Sequence, residues 1–265
     1  WCHPVLMQRV QAARERRPQL RIVVIDPRRT PTAQLADLRL PLRSGTDVML
    51  FNGLLSWLDA QGYADEAYVT THTMGARQAL QAARAACTDT LATAQACGLE
   101  PALVQQFFDS FAATGRVITA FSQGVNQSSA GVDKVNSIIN CHLLTGRIGR
   151  TGMGPFSITG QPNAMGGREV GGLSTQLAAH LALEDGAHRQ AVQEFWNSPR
   201  IAAQPGPKAV DLFDAIDEGR IKAVWIMATN PVVSLPDADR VKRALSRCPL
   251  VIVSDCVDRN DTLPF

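Results

Sequence analysis

Apolar positions along the 265-residue chain switch between helical spacing and short unbroken runs. Residues 5–17 carry spaced apolar side chains among Arg and Gln, which predicts a helix. Arg21-Ile-Val-Val-Ile-Asp26 is a β-branched run stopped by Pro27, and it predicts a buried strand of a parallel sheet. A loop containing Pro27, Pro31 and Pro41 follows. Helical spacing resumes over residues 46–61 with Val48, Leu50, Phe51, Leu54, Leu55 and Leu58, and Asp47 stands near the start, where a carboxylate can cap free N–H groups. Residues 76–96 are Ala-rich and predict one helix. Residues 101–111 predict another helix, and 116–121 a short strand.

Between residues 122 and 172 glycine becomes dense: Gly124, Gly131, Gly146, Gly149, Gly152, Gly154, Gly160, Gly166, Gly167, Gly171 and Gly172. One helix fits inside, at 132–144, and the rest is expected to be loop. So much irregular backbone in a compact enzyme implies a use for it. The last third alternates again. Residues 173–183 and 209–218 predict helices, 223–228 and 250–254 buried strands, and about 237–247 a helix between those strands. Strand, helix, strand at this spacing is a βαβ unit. The pattern predicts an α/β fold.

Composition narrows the function classes. Lys and Arg total 26 against 24 Asp and Glu, a net charge of +2, with 45% hydrophobic and 19% charged residues. That excludes a disordered chain and argues against a nucleic-acid binder working through excess positive charge. The apolar runs at 22–25 and 250–253 fall far short of the roughly 18–20 residues of a membrane helix. Cys2, Cys87, Cys97, Cys141, Cys248 and Cys256 form no C-x-x-C pair, so the usual zinc or iron–sulfur spacing is absent, and no metal ligands are assigned. They read as buried or half-buried thiols of a reducing compartment, and Cys141-His142 reads as core packing.

Both halves end a strand in an acid: Ile25-Asp26-Pro27-Arg28-Arg29 and Ser254-Asp255. Thr229-Asn230-Pro231 also follows a strand. In open α/β sheets ligands bind beyond the carboxyl ends of strands. There an Asp accepts hydrogen bonds from ribose or guanine, and an Arg grips phosphate through its planar fork. The pattern thus suggests one nucleotide-like site in each half. The other reading stays open: an Asp after a strand also serves as a turn residue or helix cap, and paired arginines as solvated surface. No G-x-G-x-x-G follows a strand, and no G-x-x-x-x-G-K-[ST] exists; Lys134 and Lys208 lie in other contexts. No G-x-S-x-G or H-x-x-x-H pattern is present. Arg168, beside Gly166 and Gly167, is placed either to meet an anion or to pair with a local carboxylate.

The segments Ser122-Gln-Gly-Val-Asn-Gln-Ser-Ser-Ala-Gly131, Asp133-Lys-Val-Asn136, Ile138-Ile-Asn-Cys-His142, Thr145-Gly-Arg-Ile-Gly149, Gly152-Met-Gly-Pro-Phe156 and Thr159-Gly-Gln-Pro-Asn-Ala-Met-Gly-Gly-Arg-Glu-Val-Gly-Gly172 resemble the bacterial assimilatory nitrate reductase catalytic subunits. Those are molybdopterin oxidoreductases with a bis(molybdopterin guanine dinucleotide) molybdenum cofactor. Trp1-Cys-His-Pro4, Val24-Ile-Asp-Pro-Arg-Arg-Thr30, Gly45-Thr-Asp47, Trp225-Ile-Met-Ala-Thr-Asn-Pro231 and Val253-Ser-Asp-Cys256 fit in the same order.

The resemblance implies two Rossmann-like lobes of parallel sheet with flanking helices, 1–157 and 158–265, each holding one arm of the cofactor. By resemblance Ile25, Asp26, Pro27, Arg28, Arg29, Gly45, Thr46 and Asp47 hold one arm, with Asp47 reading guanine or ribose. Asn230, Ser254 and Asp255 hold the other, Gln123 and Gln127 approach the pterin near the metal, and Trp1 and Cys2 end a further cofactor loop. Arg168 matches the arginine that attracts and orients nitrate. The implied reaction is oxygen-atom transfer from nitrate to reduced molybdenum, giving nitrite, in the cytoplasm. Electrons arrive through a [4Fe–4S] cluster from an NADH–flavin partner, ferredoxin or flavodoxin. The family's cysteine cluster, its molybdenum-ligating cysteine and its β-rich C-terminal domain have no counterpart here, so the chain is expected to be a central fragment, inactive alone. A formate dehydrogenase, or a non-catalytic subunit of this fold such as that in respiratory complex I, is the alternative. The runs 124–129 and 163–169 argue against the first, and retention of Asp26, Asp47, Asn230 and Asp255 against the second.

Overall fold

The computed structural model describes residues 3–128, 130–160 and 163–265; Trp1, Cys2, Ser129, Gln161 and Pro162 of the quoted motifs lie outside the described residues. Packing divides the chain into two compact units, Trp1–Pro162 and Asn163–Phe265. No helix among the described residues is long and apolar enough to cross a membrane.

The first unit runs α1 (Pro4–Arg16), β1 (Val23–Ile25), α2 (Pro31–Gln34), β2 (Leu38–Leu40), α3 (Asp47–Ala60), α4 (Glu66–His72), α5 (Ala76–Ala86), α6 (Thr90–Cys97), α7 (Pro101–Ala113), β3 (Ile118–Phe121), α8 (Gln123–Asn126), α9 (Gly131–Leu144) and β4 (Gly154–Ser157). β1 and β2 pair in parallel with Ile25 opposite Leu40, and β3 and β4 pair in parallel with Phe121 opposite Ser157. The α/β class is as expected, carried by narrow parallel pairs and many helices.

α3 is the centre of this unit because it is apolar nearly all round. Leu50, Leu54 and Leu58 are fully buried, and Phe51 and Leu55 almost so. They meet Val104, Phe107 and Phe108 of α7 and Ile138 and Cys141 of α9 in one core. Each such Leu, truncated to Ala, costs about 2–5 kcal/mol. Gly53 is the close-approach point: a Cβ there collides with Thr93 of α6. Three thiols turn inward on the same helix, Cys97 donating to Thr46 O (3.7 Å), Cys87 to Met49 O (3.4 Å) and Cys141 to Phe51 O (3.2 Å). Burial raises all three thiol pKa values, that of Cys97 to about 11.

Several expectations need correction. Residues 76–96 form two helices, because Asp89 caps a new one by accepting the Ala92 N–H at 2.7 Å. The Gly-rich stretch is not loop around a single helix: it also holds α8, β4 and α10 (Ala164–Glu169). Of the cysteines, Cys256 is exposed rather than buried. The reading of Cys141-His142 as core packing holds, since both are fully buried.

The second unit continues from α10 with α11 (Gly186–Phe195), α12 (Ala209–Asp217), β5 (Ala223–Met227), α13 (Pro231–Ser234), α14 (Ala238–Arg247) and β6 (Leu250–Ser254). Residues 173–183 do not form the expected helix. Gln176 instead bridges Ala182 in antiparallel fashion, with Ala179 and His180 at φ 56° and 58°. The spaced leucines misled: Leu177 and Leu183 fold back to meet Val192 in a small core, and that packing overrides local propensity. The expected βαβ unit forms, with β5 and β6 parallel and Met227 opposite Ser254, but its strands are not buried as expected: only one face is covered by helices. Side chains alternate across this pair. Ile226 packs with Val241, Ala244 and Leu245 of α14 and Phe213 and Ile216 of α12. The opposite face leaves Trp225, Met227, Leu250 and Ile252 exposed. Arg240–Asp214 (2.6 Å) and Arg247–Asp217 (2.8 Å) link α14 to α12.

Candidate functional site

In the first unit the parallel pairing of β1 and β2 brings their carboxyl ends to one edge, where Asp26 N–H donates to Leu40 O. Ile25 closes the strand, and Pro27 turns the chain outward. Asp26 Oδ1 accepts the Arg28 backbone N–H at 2.7 Å. The turn role that sequence left open is therefore filled. Arg28 Nε lies 3.6 Å from the same oxygen with its side chain 80% exposed, and Arg29 is also exposed. These guanidinium groups face solvent beyond a strand end, where a diphosphate would meet them.

After β2 the chain reaches Gly45, whose φ of +89° a side chain would strain, and Thr46, whose hydroxyl donates to Arg43 O at 2.6 Å. α3 begins there. Asp47 lies in its first turn, favourably placed against the helix dipole. Its Oδ2 lies 2.8 Å from Nζ of Lys134, a side chain only 5% exposed. Lys134 Nζ also donates to Gly124 O at 3.5 Å. Gln123 and Gly124 open α8 directly after β3, so Lys134 joins the Gly45–Asp47 turn to the segment carrying Gln123. Asn126 Nδ2 donates to Ser157 Oγ at the end of β4 (3.3 Å), while Gln127 is exposed. The sequence showed Lys134 as lying outside a P-loop and as part of the Asp133-Lys-Val-Asn136 segment of the resemblance, with no role attached to it.

Beneath this edge, His142 of α9 lies fully buried, its Nε2 2.8 Å from Thr119 Oγ1 of β3. Its Nδ1 is buried without a partner. Desolvation and the charge of Arg147 lower its pKa to about 4. Arg147 donates to Phe111 O (2.8 Å) and Thr114 O (2.9 Å) and stacks over the Phe111 ring at 4.3 Å.

In the second unit the ends of β5 and β6 carry a polar network. Asn230 Nδ2 donates to Asp261 Oδ2 (3.2 Å), and Thr262 Oγ1 donates to Asn230 Oδ1 (2.7 Å). Asp255 accepts from the Cys256 N–H (2.7 Å) and from Asn260 Nδ2 (2.8 Å). Ser254 Oγ accepts the Trp225 indole N–H at 2.9 Å. The structure thus gathers Asn230, Ser254 and Asp255 at one strand edge and adds Asn260, Asp261 and Thr262, which sequence reasoning had not assigned. Arg168 lies in the last turn of α10 with an exposed side chain; its carbonyl accepts from Gln176 Nε2 (2.7 Å), and among the described residues no carboxylate pairs with its guanidinium. No group of three His, Cys, Asp or Glu side chains among the described residues is arranged to hold a metal ion.

A family model described as molybdopterin oxidoreductase matches residues 1–265. The chain belongs to the molybdopterin oxidoreductase family. It is 51% identical to a nitrate reductase of Klebsiella oxytoca, over 100% of this chain and 30% of that protein. It is 47% identical to a nitrate reductase of Shewanella frigidimarina, over 99% of this chain and 28% of that protein. It therefore spans about three-tenths of the length of these two relatives. Among solved structures, acetylene hydratase from Pelobacter acetylenicus superposes with a TM-score of 0.67 at 17% identity, covering 94% of this chain and 36% of that one. That likeness speaks to the fold alone.

The donor set at the strand ends suits the polar and phosphate groups of a molybdenum–pterin cofactor. Asp26, Asp47 and Asp255 offer carboxylate acceptors for N–H or O–H groups, and Asn230 offers an amide. Arg28 and Arg29 offer exposed guanidinium groups for a diphosphate.

Proposed function

We propose that this chain is the central part of a molybdenum-dependent nitrate reductase that reduces nitrate to nitrite for assimilation in the cytoplasm. The observation that carries the reading is the similarity to nitrate reductases along the whole chain, including the Gly-rich block at 122–172. The strand-edge chemistry agrees with it. When bound, a molybdenum bis(molybdopterin guanine dinucleotide) cofactor supplies the two-electron oxygen-atom transfer. In this reading residues 1–157 and 158–265 are the two cofactor-holding lobes.

The chain's own residues bind and orient. Asp26, Arg28, Arg29, Gly45, Thr46 and Asp47 hold one guanine dinucleotide arm. Asn230, Ser254 and Asp255 hold the other, and Gln123 and Gln127 face the pterin. Arg168, free of a carboxylate among the described residues, attracts nitrate and orients it by charge-assisted hydrogen bonds. In this reading a [4Fe–4S] cluster would pass electrons from an NADH–flavin partner, from ferredoxin or from flavodoxin. The 265 residues by themselves are inactive.

The test is to purify the complete enzyme and assay it with a reduced viologen dye. Nitrite formation that disappears when cells are grown on tungstate in place of molybdate supports the reading. Formate oxidation without nitrate reduction overturns it. Cell fractionation checks the cytoplasmic assignment.

A further inference from the structure

We infer that Lys134 is a positioning residue for the cofactor-facing edge of the first unit; this rests on the cofactor-binding reading above. Its side chain is 5% exposed, and taking such a charge out of water is costly unless partners offset it. The partners are specific. One is Asp47 Oδ2 at 2.8 Å, in the first turn of α3. The other is the carbonyl of Gly124 at 3.5 Å, in α8.

Neither partner is needed to hold α9 itself, whose apolar residues already bury against α3. The ion pair instead fixes two segments that are remote in sequence and both proposed to face the cofactor. Gly131 makes the arrangement possible: a Cβ there stands 2.5 Å from Asn126 O, so only glycine lets the start of α9 sit against α8 and deliver Lys134 to its partners.

The chemical consequence falls on Asp47. A carboxylate that reads guanine must be held in one plane and tolerated beside an anionic dinucleotide. Lys134 does both. It offsets the charge, anchors Oδ2, and leaves Oδ1 for an incoming N–H. The carbonyl grip on Gly124 sets the α8 segment, and with it Gln123, at a fixed distance from that carboxylate.

The experiment compares wild type, Lys134→Met, Lys134→Arg and Leu144→Ala in the complete enzyme. Leu144 packs in the same core and has no part in the edge. Molybdenum and acid-released GMP per polypeptide are measured together with the urea midpoint of each protein. Lys134→Met is expected to lose at least about fivefold of both molybdenum and GMP, below any Leu144→Ala variant of equal urea midpoint, and Lys134→Arg to recover more than half. Full cofactor content in Lys134→Met overturns the assignment. So does a loss no greater than that of Leu144→Ala at matched stability. These outcomes are independent of the substrate: a wild-type enzyme loaded with molybdenum but inert toward nitrate sinks the functional reading and leaves the role of Lys134 intact.

Discussion

Acid should destabilise this protein through His142 in particular. The imidazole is fully buried between α9 and β3, accepts or donates one hydrogen bond at Thr119 Oγ1, and packs edge-on against Phe111 at 5.3 Å. Desolvation first, and Arg147 second, lower its pKa from 6.5 to about 4. In the unfolded chain it titrates near its ordinary value. Above pH 6.5 both states hold a neutral ring and nothing is lost. As pH falls from 6.5 toward 4 the unfolded state takes up a proton that the folded state refuses, so stability falls. The full difference is about 3 kcal/mol, of which about 2 kcal/mol is lost by pH 5. The assay is urea unfolding at pH 7.5 and pH 5.0 of wild type and His142→Gln, which removes the titration and keeps a group able to reach Thr119. Other carboxylates and histidines contribute equally to both proteins, so only the difference in pH slope is read. The wild type is expected to lose about 2 kcal/mol more than the variant between these pH values. Parallel pH dependence in the two proteins, or an NMR titration of the His142 ring near 6.5, would refute the reasoning.

Gly53→Ala should destabilise by about 1–3 kcal/mol through overpacking against Thr93, and adding Thr93→Ala should recover much of that in thermal or urea unfolding. Leu58→Ala, at the fully buried far end of α3, should cost about 2–5 kcal/mol by the same measurements. In the complete enzyme Arg168→Ala should raise the KM for nitrate by about 10- to 100-fold, the worth of a charge-assisted hydrogen bond, with Arg168→Lys between; unchanged KM in both removes Arg168 from the substrate path.

The elements legible in the sequence are those with long, one-sided patterns. α3, α7, α9 and the β5–α14–β6 unit each repeat their signal over enough residues to stand out from their surroundings. β2 is three residues stopped by Pro41, too short for a period of two to register. The break at Asp89 was hidden by alanines on both sides, although Asp-Thr is an ordinary capping signal. At the site, the acids and arginines at strand ends were visible because their position after a β-branched run carries meaning. The Asp47–Lys134 pair was not, since nothing local joins a helix start to a lysine so remote in sequence. The same holds for Asn260, Asp261 and Thr262, whose role arises only when the chain after β6 folds back on Asn230.

The three thiols that hang from carbonyls of α3 and of Thr46 just before it give the fold a built-in clock. A thiol reacts as thiolate and only where a reagent reaches it. Cys256 is exposed and labels at once, which sets the zero of time. Cys87, Cys97 and Cys141 label only when the layers over α3 part. Two of them belong to the α5–α6 side and one to α9. If the α5–α6 layer peels away as a separate cooperative unit, Cys87 and Cys97 label ahead of Cys141. Equal rates at all three mean that the helix is uncovered in a single event, timed without introducing any foreign probe.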